Sequence, residues 1–115
     1  MILVTGGAYQ GKNAFAETLL EQRKQAGREG TLFPQFHEWV KDCMKAERNI
    51  EEELREKLGQ DPDQIIVCNE LGCGVVPMDA FERAWRERTG RLTCELAKQA
   101  EAVYRVTCGI GTRIK

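Results

Sequence analysis

Three features of this 115-residue chain predict an α/β fold in three layers, with a mainly parallel sheet and helices on both faces. Short apolar runs alternate with stretches of helical period, the order expected when crossover helices join neighbouring strands. One run, "IIVCN" at 65–69, is apolar without alternation, the pattern of a strand buried on both sides. The opening stretch, "MILVTGGAYQGKN", passes from a strand through glycines into a helix, the kind of junction at which open α/β sheets hold ligands.

Ile2 to Thr5 is expected to form the first short buried strand. Lys12 to about Gln25 follows as a helix, because Phe15, Ala16, Leu19 and Leu20 recur at helical spacing, and Gly27 and Gly30 close the unit. "TLFPQF" offers a second short strand, which Pro34 confines to an edge or a strand end. A charged helix is expected from about Glu38 to Leu58, with an apolar stripe of Ala46, Ile50, Leu54 and Leu58. Its solvated face carries the pairs Glu51 with Arg55 and Glu53 with Lys57. "DPDQ" makes a turn into the 65–69 strand. Two further helices, about Met78 to Arg88 and Arg91 to Ala102, are expected to split at Gly90, and "VYRVTC" supplies a last strand.

Size and composition narrow the function classes. Residues 1–115 are expected to be one domain, large enough for a single core. With a formal net charge of −1 and no basic cluster, electrostatic binding of nucleic acid is excluded. No apolar run approaches membrane-spanning length, and the expectation is a cytoplasmic protein. Cys43, Cys68, Cys73, Cys94 and Cys108 form no CxxC pair and have no histidine at zinc-ligand spacing, so reduced, mostly buried thiols are expected and no metal site is assigned.

Chemistry enters at residues 6–13. Gly6, Gly7, Ala8, Tyr9, Gln10, Gly11, Lys12 and Asn13 fit G-x-x-x-x-G-K-[ST] except at the last position, and are assigned as the nucleotide-binding residues of a P-loop NTPase-like fold. Backbone N–H groups there can converge on an anion, the helix N-terminus adds a favourable dipole, and Lys12 would reach the β- and γ-phosphates. The bland alternative is a plain strand-to-helix loop. Asn13 stands where a Ser or Thr hydroxyl normally meets magnesium, which puts a magnesium cofactor in doubt. Glu70, ending the 65–69 strand, is a candidate catalytic base or metal ligand; it can equally satisfy the N–H groups of the glycine turn 72–74. Trp39 and Trp85 are read as packing residues and His37 as structural, while Arg83, Arg86 and Arg91 are expected to pair with Glu82, Glu87 and Glu95.

"NELGCGVVP" and "ERAWRERTGRLTCELAKQAEAVYRVTCGIGTRIK", together with the opening loop, resemble the adenosylcobinamide kinase/adenosylcobinamide-phosphate guanylyltransferase family of cobalamin biosynthesis. The resemblance falls on Gly6 to Asn13, Asn69 to Pro77, Arg83 to Ala97 and Gly109 to Lys115. It implies ATP or GTP as nucleotide, a cobinamide-type corrinoid as partner, and a homo-oligomer, a trimer. The chain departs from the family pattern by lacking the segment that carries the guanylylated histidine. In "PQFHEWV", matched to a family strand end, His37 falls on a threonine and Pro34 on an acidic residue that helps hold magnesium; Thr93 and Cys94 replace Asn-Gln. Two classes follow: a kinase on the adenosylcobinamide side chain with guanylyl transfer lost, or a non-catalytic nucleotide- or phosphate-binding module or assembly partner.

Overall fold

The computed structural model describes residues 1–72 and 75–115. In chain order they form β1 (Ile2–Gly6), α1 (Lys12–Gln25), β2 (Leu32–Phe33), α2 (Phe36–Lys45), α3 (Ile50–Gln60), β3 (Ile65–Asn69), α4 (Ala80–Gln99), β4 (Ala102–Thr107) and β5 (Ile110–Arg113). The strands make one sheet in the order β2-β3-β1-β4-β5. All neighbours are parallel except β4 and β5.

Alternation along the central strands builds the layers. Leu3, Ile66 and Cys68 point into a core shared with Phe36, Val40 and Cys43 of α2, Ile50 and Leu54 of α3, and Leu92 and Leu96 of α4. Ile2, Val4, Ile65 and Val67 point the other way, onto Ala16 of α1 with Phe15, Leu19 and Leu20 beside it. Both faces of β1 and β3 are therefore covered, which is why "IIVCN" has no polar alternation. Pro34 ends β2, an edge strand, as expected. Trp39 and Trp85 pack against the first of these cores.

The expected 38–58 helix is two helices, and the first begins at Phe36. Glu47 takes a left-handed conformation (φ 53°), and Arg48 N–H donates to the Cys43 carbonyl at 2.9 Å, closing α2 with a Schellman-type stop. Asn49 then caps α3, its side chain accepting from Glu52 N–H at 3.1 Å. Ala46, assigned to the apolar stripe, is exposed at the break. Conversely, α4 runs unbroken through Gly90. Trp85, Thr89, Leu92 and Leu96 form one inward stripe across that position, and burying them outweighs glycine's cost of about 1 kcal/mol. Asp79 caps α4 by accepting from Phe81 N–H at 2.7 Å, so the helix starts at Ala80 rather than Met78.

Strand β5 is an addition to the expected elements. Thr107 faces Ile110 across a two-residue turn with left-handed Cys108 (φ 52°) and Gly109 (φ 77°), the primed geometry that suits strand twist. The charge pairs also differ from expectation. Glu51 pairs with Arg88 and Glu53 with Arg48, while Glu82 meets Lys41 at 3.0 Å and Glu95 meets Lys98 at 3.1 Å. Arg91 does pair with Glu87, at 2.6 Å. Arg83 donates instead to the Pro77 and Met78 carbonyls, and Arg86 to those of Gly72 and Val75. Only Cys43 and Cys68 are buried thiols among the described residues; Cys94 and Cys108 are exposed, and Cys73 lies outside the described residues.

Candidate functional site

Strands β1 and β3 lie side by side, and their chains leave the sheet in different directions, so a crevice opens beyond their carboxyl ends. Gly6 and Asn69 are paired at that end, and Glu70 N–H donates to the Gly6 carbonyl at 2.9 Å. A Cβ at Gly6 would stand 2.5 Å from the Val106 carbonyl oxygen, so only glycine lets the chain turn there. The loop ends at Gly11, left-handed at φ 85°, and α1 begins at Lys12.

Beyond these strand ends is a cavity of about 340 Å³, lined by residues 8–14 with Gln35, His37, Val67 and Asn69 opposite. Lys12 is only 8% exposed, and its Nζ donates to the Gly7 carbonyl at 2.7 Å. Burial pushes this ammonium below its ordinary range, with Cys68 and Glu70 acting in the opposite direction. A desolvated cation at the mouth of an amide-rich loop favours an anion beside it. Asn13 is exposed on the first turn of α1. A larger groove of about 460 Å³ runs between α3 and α4, but its floor is Leu54, Leu58, Leu92 and Leu96, away from the strand ends.

The donor set suits phosphate better than a divalent cation. Among the described residues, none that lines the cavity carries a carboxylate. Glu70, the candidate base, is not among them; its two oxygens accept from Arg105 Nε and Nη2 at 2.9 and 3.1 Å. Whether the Glu70 carboxylate also meets the glycine turn falls partly on residues 73 and 74, outside the described residues. Pro34 lies in a neighbouring cleft with Phe33, Trp39 and Lys57, and the residue beyond β2 that reaches the cavity is Gln35.

His37 proves to be both a structural residue and a wall of the cavity. Its Nδ1 accepts the Asn69 N–H at 3.1 Å, and its own carbonyl accepts from Trp85 Nε1 at 2.6 Å. Burial lowers its pKa from 6.5, with Glu38 raising it and Lys12 lowering it further. The turn between β4 and β5 also meets the loop: Cys108 N–H donates to Gln10 Oε1, and Gly109 N–H to the Gln10 carbonyl, both at 2.7 Å. Neither contact was signalled by a motif. The readable cue for the turn was Cys-Gly between two short β-forming runs, and His37 lies on the first turn of α2, which begins at Phe36 rather than about Glu38.

Residues 23–114 match the family model described as cobinamide kinase / cobinamide phosphate guanyltransferase. The chain belongs to this family. The cobinamide kinase / cobinamide phosphate guanyltransferase match begins past the loop and does not include residues 6–13. Two curated relatives are the bifunctional adenosylcobalamin biosynthesis protein CobU of Salmonella typhimurium and its namesake from Escherichia coli. Each is 41% identical over 51 residues, which is 44% of this chain and 28% of the relative. The aligned part thus spans under a third of those family members. No helix among the described residues is long and apolar enough to cross a membrane.

Proposed function

We propose that this chain binds a nucleoside triphosphate, ATP or GTP, through residues 6–13, in the cobinamide-related chemistry of its family. The observation that carries the proposal is buried Lys12, its ammonium held on the Gly7 carbonyl within a glycine-shaped loop at the carboxyl ends of β1 and β3. In a phosphoryl transfer to a cobinamide-type hydroxyl, Lys12 and the loop amides stabilise charge on the moving group. Glu70 is the proposed base, and it serves only after yielding the Arg105 pair.

Guanylyl transfer through a histidine is proposed to be lost. His37 is the only histidine in the chain, and its ring lone pair at Nδ1 is engaged by Asn69. Nε2 then carries the proton and is no nucleophile. Labelled GTP followed by denaturation is expected to leave no acid-labile label, and label on His37 would refute this.

Among the described residues no carboxylate lines the cavity, which favours a second reading, a module that binds nucleotide or phosphate without turning it over. Turnover of ATP or GTP with adenosylcobinamide and magnesium separates the two. A rate of about 1 s⁻¹ or faster, within the ordinary enzyme range, supports the kinase. Binding without turnover supports the module.

A further inference from the structure

We infer that His37 is a ligand-contacting residue of the loop cavity, donating its Nε2–H to an oxygen of the phosphate chain held by the loop. The inference rests on the loop-binding reading above and adds a residue to it. The imidazole, 7% exposed, lines the cavity from the first turn of α2, with Lys12 and Asn13 of α1 among the other lining residues. Its Nδ1 is occupied by the Asn69 N–H, which fixes the tautomer with the proton on Nε2. Nε2–H donates no hydrogen bond among the described residues, for Glu38 Oε1, on the same helix, stands at 3.9 Å. Nε2 is not sealed from solvent, so an acceptor on a ligand in the cavity can take the place of water on this donor.

The surroundings hold the ring in this role. Trp85 of α4 pins the His37 backbone, and its ring lies 6.4 Å from the imidazole. The charged groups that bear on the ring are Glu38 of its own helix and Lys12 of α1; burial outweighs the carboxylate and keeps the imidazole neutral at pH 7. Lys12 thus supplies charge, and His37 supplies a directed, uncharged donor.

Two substitutions separate the ring's two jobs. His37→Asn keeps an acceptor near the Nδ1 position and removes the donor; His37→Gln keeps an N–H near Nε2 and removes the acceptor. The probes are ATP and inorganic tripolyphosphate, each with and without magnesium. Because His37 is the only histidine, one imidazole signal appears in long-range proton–nitrogen NMR of the intact chain. Both probes are expected to shift the Gly7 and Gly11 amides and the His37 Nε2 resonance together. His37→Asn is expected to weaken both probes about tenfold or more, the scale of a hydrogen bond to a charged group, and His37→Gln by less than about threefold. Loop amides that move while Nε2 does not, or an imidazole that answers ATP alone, overturn the His37 contact and leave the loop reading intact. Spectra in which neither loop nor imidazole responds overturn both.

Discussion

Two residues of the loop cavity make separate predictions. If the Lys12 ammonium meets a phosphate, Lys12→Ala weakens nucleotide binding by at least about 1.5 kcal/mol, the scale of a charge-assisted hydrogen bond; calorimetry showing equal affinity would remove the assignment. His37 adds a pH dependence to folding. Its native pKa lies below 6.5 because burial penalises the imidazolium, so as pH falls through about 6.5 the unfolded chain takes up a proton that the native chain refuses. Stability therefore falls with pH, by up to about 1.4 kcal/mol per unit, until the native ring is protonated as well. Urea denaturation between pH 7.5 and 5.5 is expected to show this slope in the wild type and to lose most of it in His37→Asn. A slope unchanged by the substitution would assign the effect to other groups.

At the scale of elements, the helix ends carry the tests. Asn49→Ala removes the cap that restarts the chain after Glu47 and is expected to cost about 1 kcal/mol in denaturant unfolding. Gly90 sits exposed in an unbroken helix with nothing within 4 Å of an added Cβ, so Gly90→Ala is expected to raise stability by about 0.5–1 kcal/mol. A loss there would mean that the helix needs glycine's flexibility. The same ends explain what could be read from the sequence. Strands β1 and β3 were legible because their apolar runs are buried on both faces, and α1 because its stripe is regular. The break at 46–49 was hidden because the left-handed stop is a glutamate rather than a glycine. Strand β5 was hidden because three of its four residues are exposed and give no alternation. Within the candidate site the loop was legible from local sequence. Its far wall, Gln35, His37 and Asn69, depends on where α2 and β3 come to rest, which local sequence does not encode.

Across the whole molecule, an exposed apolar segment bears on assembly. Val75, Val76 and Met78 are 95%, 69% and 96% exposed, and the Arg83 and Arg86 contacts to neighbouring carbonyls anchor this segment. The trimer proposed from the family resemblance would cover such surface. Light scattering at micromolar concentration is expected to give three chains, and a monomer would contradict it. The loop is proposed to hold the phosphates of a nucleotide with little help from magnesium. A thermal-shift series of ATP and GTP, in magnesium and in chelator, on wild type and Lys12→Ala, reads this out. A wild-type rise in Tm of similar size in both conditions is expected, with a clearly smaller rise in Lys12→Ala. No shift in the wild type at millimolar nucleotide, a rise that requires magnesium, or an undiminished rise in Lys12→Ala would contradict it.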